Sequence, residues 1–350
     1  MSAMVEFRQV TKRYGGVTAV DDVSFALARG TLTTLLGPSG CGKTTTLRLI
    51  AGLETASGGQ ILLDGADVTR LSAAERDVSM VFQSYALFPH MNVLENVAYG
   101  LVVSGMAKAK AHAAARAKLA LIGLEGMDER LPSELSGGQQ QRVAVARAIV
   151  LEPRVLLFDE PLSNLDAKLR RRVRDDIRAL QRTLALTVVY VTHDQEEALA
   201  VSDRIIVMSR SRIAQDGSPR DLYERPMSRF VADFIGDANI VAAALRRNGE
   251  RAAVTLGGIT LDLPHNGAAD GPVELAIRPE ALRLVPGPAD ADAIAGEVAK
   301  SAYLGARIEY ALATPIGELF AIERDVAAPL APGTTVAIRF AERGVTVIPP

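Results

Sequence analysis

Residues Gly37 to Thr44 read GPSGCGKT, and a stretch of this kind works only between a buried strand and a helix. The surrounding text, TLTTLLGPSGCGKTTTLRLIAGL, supplies both: an apolar strand over Thr31 to Leu36, a glycine-rich turn, and a helix from about Lys43. Glycines let successive backbone N–H groups converge on phosphate oxygens, and the helix N-terminus adds a favourable dipole. In that setting Lys43 reaches the β and γ oxygens, the Thr44 hydroxyl ligates Mg2+, and Cys41 contributes only its backbone N–H. Further strands are expected within Arg154 to Pro161, Thr187 to Asp194 and Asp203 to Gly217, separated by helical segments such as Ala167 to Thr183. Their Val and Ile runs predict a parallel sheet buried on both faces, hence an α/β fold.

With 350 residues, 48% of them hydrophobic, the chain can bury more than one core, and two domains are expected. A formal net charge of −2 gives no field for holding a polyanion, so nucleic acid is not an expected partner. Cys41 is the one cysteine, which excludes an intramolecular disulfide framework, and His90, His112, His193 and His265 lack metal-ligand spacing. No apolar signal core opens the chain and no run of eighteen apolar residues occurs, so a cytoplasmic protein is expected, with any membrane role exerted through a partner. Between Ser84 and Glu134 the text turns alanine-rich and charged, reading as a helical insert with a solvated amphipathic helix. From about Val241, short β-like pieces alternate with turn signals such as Asn248-Gly249, Gly257-Gly258 and Gly271-Pro272, predicting a small all-β domain of the OB barrel type.

Two more features extend the phosphate chemistry. VLLFDE ends in Asp159, suited to holding Mg2+ directly or through water, and Glu160, suited to polarising an attacking water. Gln83 closes VSMVFQ and His193 closes VVYVTH; both fall at carboxyl ends of predicted parallel strands, where α/β sheets place their ligands. Gln83 is expected to touch the metal and the water, and His193 to orient the γ-phosphate.

A second glycine pair, Gly137-Gly138 in LSGGQQQRVAVARAI, has no use in a single phosphate cradle. Together with GPSGCGKTT, VFQSYALFPHMNVLENV, VLLFDEP, LSNLD and THD, LSGGQ stands in an order that resembles the ATP-binding subunit of an ABC transporter over roughly residues 4 to 235. The resemblance implies a P-loop ATPase domain over 1–237 with a helical insert at about 84–150, then a β domain over 238–350. It implies a homodimer whose two chains pair head to tail, Ser136, Gly137, Gly138 and Gln139 of one closing on ATP held by the other. By the same resemblance Tyr14 stacks on adenine, and Gly37, Ser39, Gly40, Cys41, Gly42, Lys43, Thr44 and Thr45 contact the phosphates and Mg2+. Thr44, Gln83 and Asp159 hold the metal, Glu160 is the general base, His193 the γ-phosphate switch, and Asp166 links the two sites.

The resemblance also bears on what the ATP is used for. One ATPase copy without a fused membrane domain points to an importer subunit on the cytoplasmic face of the bacterial inner membrane, with separate permease chains and, indirectly, a periplasmic substrate-binding protein. The apolar stretch after Gln83 can form a buried hairpin core or a groove for a permease helix; the groove is favoured, with Tyr85, Leu87, Phe88 and Met91 as contacts. ELAIRPEALRLVP, Glu274 to Pro286, resembles a segment of the accessory TOBE domain, which either scaffolds the dimer or takes a regulatory ligand. Overall the text is most similar to ferric-ion importer ATPases, with polyamine, 2-aminoethylphosphonate and sugar importers as alternatives. A different class, a soluble ABC-type mechanochemical ATPase acting on nucleic acid, finds few basic residues and no interleaved aromatics in the β domain.

Overall fold

The computed structural model describes residues 3–163, 165–341 and 343–349, so Asn164 of LSNLD lies outside the described residues. Two compact units divide the chain, Met1–Pro219 and Arg220–Pro350.

The first unit contains strands β1 Ala3–Tyr14, β2 Val17–Ala28, β3 Leu32–Leu36, β4 Gly58–Leu63, β5 Ala66–Asp67, β6 Val78–Val81, β7 Val155–Asp159, β8 Thr187–Thr192, β9 Arg204–Ser209 and β10 Arg212–Gly217. Its helices are α1 Lys43–Ala51, α2 Val93–Val103, α3 Lys108–Leu121, α4 Gly137–Ile149, α5 Ala167–Thr183 and α6 Gln195–Val201. Six strands form one sheet in the order β10-β9-β3-β8-β7-β6. Its interior pairs are parallel, and only the β9–β10 hairpin runs antiparallel. Every residue of β3 and β8 is buried, as expected of strands covered on both faces. One cover is α1, whose Leu47, Leu49 and Ile50 share a core with Leu35, Leu157 and Val191. On the other face Val145 and Ile149 of α4 and Val173 and Ile177 of α5 pack with Leu156, Phe158 and Tyr190.

A second sheet, antiparallel in the order β2-β1-β4-β5, adds to the predicted architecture. Its first hairpin pairs Tyr14 with Val17 across Gly15-Gly16, and Phe7 stacks on Phe25 at 4.5 Å. In the insert, α3 buries Ala111, Ala115 and Leu119 at four-residue spacing and exposes Lys108, Lys110 and Arg116, the expected solvated amphipathic helix.

The second unit contains helices α7 Pro219–Glu224 and α8 Arg229–Phe234 and strands β11 Asn239–Asn248, β12 Arg251–Leu256, β13 Ile259–Pro264, β14 Gly271–Ile277, β15 Leu282–Pro286, β16 Ile294–Tyr303, β17 Ile308–Thr314, β18 Gly317–Glu323, β19 Thr335–Phe340 and β20 Val345–Val347. The strands form two five-stranded antiparallel sheets, β13-β12-β11-β14-β20 and β15-β19-β16-β17-β18, around one core that includes Leu275, Leu282, Val298, Tyr310 and Ile338. The sequence reading joined α7 and α8 to the first domain; in the structure they sit with the second. Arg278 explains this, because its buried guanidinium donates to the carbonyls of Tyr223, Ala232 (2.9 Å) and Ile235.

Candidate active site

Parallel strands carry the loops at their carboxyl ends to one edge of the sheet. Gly37 follows β3, His193 follows β8, Asp159 ends β7, and Gln83 lies two residues past β6. The cradle itself is tight. Gly42 caps α1 at φ 104°, and a Cβ there would stand 2.4 Å from the Ala19 carbonyl oxygen, so only glycine fits. Lys43 is buried, its ammonium donating to the carbonyls of Gly37 at 2.7 Å and Pro38 at 2.9 Å. Ser39 and Gly40 are exposed at the rim. The Cys41 N–H bonds the Pro38 carbonyl at 3.4 Å; burial pushes its thiol pKa up, which suits a packing role rather than a nucleophile's.

The Thr44 hydroxyl donates to Asp159 Oδ1 at 3.3 Å. Burial raises the Asp159 pKa, with Glu160 adding to the rise and Thr44 opposing it. A half-buried hydroxyl and carboxylate this close suit a small hard cation, since a six-coordinate Mg2+ sets neighbouring oxygens about 3 Å apart.

Glu160 has a left-handed backbone, φ 45°, and its N–H donates to the Val191 carbonyl at 3.1 Å. The side chain meets His193 Nδ1 through Oε2 at 3.1 Å. Ser163 closes the arrangement: its hydroxyl donates to the Glu160 carbonyl at 3.0 Å and accepts from Gln83 Nε2 at 3.2 Å. Gln83, Ser163, Glu160 and His193 thus form one connected line. Sequence reading passed over Ser163, although LSNLD carried it. It also passed over buried Glu197 of α6, which accepts from the Tyr190 hydroxyl and, at 2.5 Å, from the Thr192 hydroxyl, anchoring the backbone that bears His193. Burial raises the Glu197 pKa against those bonds.

Tyr14 ends β1, 44% exposed as a residue, with Lys12 Nζ 4.7 Å from the ring centroid. Its hydroxyl pKa rises by burial and by hydrogen bonding to Glu54, with Thr45 opposing; Tyr14 and Thr45 are therefore neighbours.

Ser136 to Gln139 form their own cluster at the start of α4. The Ser136 hydroxyl accepts from the Gln139 N–H at 3.4 Å, and Gln139 Oε1 accepts from the Ser136 N–H at 2.9 Å, a capping box that commits the Gln139 side chain to the helix. A Cβ on Gly138 would lie 2.8 Å from Leu169 Cδ1, so the glycine lets α4 approach α5 closely. Asp166 caps α5, accepting from the Leu169 N–H at 2.9 Å.

The stretch after Gln83 corrects one expectation. Tyr85 is not a surface contact: its backbone turns left-handed (φ 61°), and the ring is buried in the core with Val81, Ala144 and Ala148. Leu87, Phe88 and Met91 are half-buried and keep outward surface.

Comparison with known proteins agrees with this geometry. The ABC transporter family matches residues 20–163 and the TOBE domain residues 275–348. The Fe(3+) ions import ATP-binding protein FbpC 1 of Rhizobium meliloti (strain 1021) is 58% identical over 345 residues, 98% of this chain and 97% of that protein. The chain belongs to the ABC transporter ATP-binding proteins. Other members of the family include the Fe(3+) ions import ATP-binding proteins FbpC of Brucella abortus (strain 2308), 59% identical over 98% of this chain and 97% of that protein, and of Escherichia coli (strain K12), 53% identical over 80% and 79%. Among solved structures, cbiO1 from Clostridium perfringens, part of the ABC transporter complex cbiONQ, matches at a TM-score of 0.60 and 26% identity, covering 64% of this chain and 92% of that one. The dimeric bacterial ABC transporter cassette MJ0796 matches at 0.56 and 31% identity, covering 62% and 99%.

Proposed function

We propose that this chain is the ATP-hydrolysing subunit of a bacterial importer for ferric iron. The observation that carries the cargo is the near-full-length identity to ferric-ion import ATP-binding proteins, 58% and 59% in the first two relatives. The line of hydrogen-bonded groups at the sheet edge supports hydrolysis. In this reading the phosphates lie on the backbone N–H groups of Gly37 to Thr45, Lys43 exchanges its carbonyl partners for phosphate oxygens, and Tyr14 stacks on adenine. Thr44 and Asp159, with Gln83 beside them, hold Mg2+, and the ion neutralises phosphate charge when bound.

Glu160 is the base that takes the proton of the attacking water, and His193 orients Glu160 and the γ-phosphate. Two copies complete each site, because Ser136, Gly137 and Gly138 present a hydroxyl, backbone N–H groups and a helix N-terminus that have no phosphate to grip within one cradle. Asp166 then links the two sites through α5. Leu87, Phe88 and Met91 are the proposed permease contacts, with the subunit on the cytoplasmic face of the inner membrane. No helix among the described residues is long and apolar enough to cross a membrane.

Uptake of radiolabelled ferric iron tests the reading. Cells lacking the chromosomal copy are complemented with wild type or with Glu160→Gln, using labelled spermidine as control cargo. Restored iron uptake by wild type only, with spermidine uptake unchanged, is the expected result; iron uptake independent of the gene in cells without a redundant system rejects the cargo.

A further inference from the structure

The loop after Gln83 holds two successive non-glycine residues in the left-handed region, Tyr85 at φ 61° and Ala86 at φ 49°. L side chains disfavour that conformation, so something outside the loop must impose it. Neither side chain supplies a polar anchor: Ala86 is an exposed methyl, and the buried Tyr85 hydroxyl has no hydrogen-bond partner among the described residues. The backbone carbonyls do have one. Arg147, in the last turn of α4, donates from Nη1 to the Ala86 oxygen at 2.7 Å and from Nη2 to the Tyr85 oxygen at 2.8 Å.

A planar guanidinium offers two parallel donors, so it selects backbone whose successive carbonyls point the same way. Extended chain alternates its carbonyl directions; consecutive helical-type residues do not. Arg147 thus fits the left-handed pair and not its relaxed alternative. The same guanidinium lies 5.6 Å from the Phe88 ring centroid, and Phe88 packs on Tyr99 of α2 at 4.7 Å. Beyond Ala86 the loop is fixed to α2 by Asn96, whose amide bonds the Phe88 N–H at 2.8 Å and the carbonyls of Phe88 and Met91.

We propose that Arg147 is a positioning residue that locks the loop after Gln83 in its left-handed shape and makes that shape follow the position of α4. The other end of α4 is the Ser136-Gly137-Gly138 start, so a displacement there is carried by a rigid helix to the carbonyls preceding Phe88. The role in transport rests on the proposed function; the clamp itself does not.

Two readouts separate them. Amide hydrogen exchange of the purified chain is compared for wild type, Arg147→Met, Arg147→Lys and the double change Arg147→Met with Ala86→Gly. Methionine keeps the aliphatic stem and removes both donors, so residues 84–88 should exchange about tenfold faster while β3, β7 and β8 keep their protection. Lysine can satisfy one carbonyl and should give an intermediate rate, and it serves in place of methionine if that variant does not fold. Glycine adopts the left-handed region freely, so Ala86→Gly should restore much of the lost protection.

In cells, iron uptake should fall about tenfold in Arg147→Met and recover at least partly in the double variant, while ATP hydrolysis by the purified chain stays within about twofold of wild type. Unchanged exchange at 84–88, or a double variant worse than the single one, overturns the clamp. Faster loop exchange with normal uptake, or loss of basal hydrolysis, overturns the coupling role. Failure of the wild-type gene to restore iron uptake rejects the cargo reading and leaves the exchange comparison valid.

Discussion

Glu160 owes its aim to an unfavourable backbone. At φ 45° it departs from the strand, and the bonds from its N–H to Val191 and from Ser163 to its carbonyl hold that turn while the carboxylate meets His193 at 3.1 Å. Glu160→Gln keeps the shape and loses the base; turnover by the purified chain should fall by about 10²–10⁴-fold with nucleotide affinity retained. Near-normal turnover removes Glu160 from the role. Gly42 makes a second prediction. Gly42→Ala adds both left-handed strain and a 2.4 Å approach to the Ala19 carbonyl, backbone that cannot move aside. A stability loss of about 1–3 kcal/mol in urea unfolding, with loss of ATP binding, is expected. At this scale the cradle was legible, because GPSGCGKT keeps its chemistry within eight residues. Ser163 was not, since nothing local to 163 says that sheet order brings it to Gln83. Tyr85 was misread for a related reason: an apolar stretch does not reveal which way a ring faces once the backbone turns left-handed.

Elements are tied together by a few polar anchors, and Asp203, exposed beside the sheet, is one that pH can test. It stands before β9, where Oδ2 accepts from the Leu32 N–H and from Arg178, each at 2.9 Å. Burial pushes its carboxyl pKa up, but the bonds from Arg178 and Leu32 outweigh that, and the folded value lies below the ordinary 3.8. A depressed folded pKa gives stability that is present above the unfolded value and lost as pH falls through the folded one. Asp203→Asn should therefore unfold at lower temperature than wild type at pH 7, by about 0.5 kcal/mol of stability once solvent screening of this exposed pair is included, and the gap should close as the pH drops below 3.8. A gap that persists unchanged at low pH contradicts the assignment. The parallel sheet was readable from its Val and Ile runs, and α3 as a solvated amphipathic helix. The antiparallel sheet was overlooked, even though Tyr14-Gly15-Gly16-Val17 is a two-residue hairpin turn, because attention to βα alternation leaves no place for a hairpin.

For the whole molecule, the proposed hydrolysis needs sites shared between two copies. The two glycine motifs lie on different elements, α1 for the cradle and α4 for the second pair, and the proposed head-to-tail pairing sets them opposite each other across a dimer. On adding ATP, Glu160→Gln should shift from monomer to dimer in light scattering, since it binds without turning over; a monomer at saturating ATP argues against pairing. The most direct test is complementation between two inactive chains. Lys43→Ala disables the cradle. Ser136→Asp keeps an N-cap on α4 but sets a negative charge against an arriving phosphate. Mixed in equal amounts, the two form heterodimers in which one site combines an intact cradle with an intact Ser136. ATP hydrolysis by each preparation and by the mixture is the measurement. The account predicts two inactive preparations whose mixture regains up to about one quarter of wild-type turnover, as random pairing allows; a mixture no more active than its parts contradicts it.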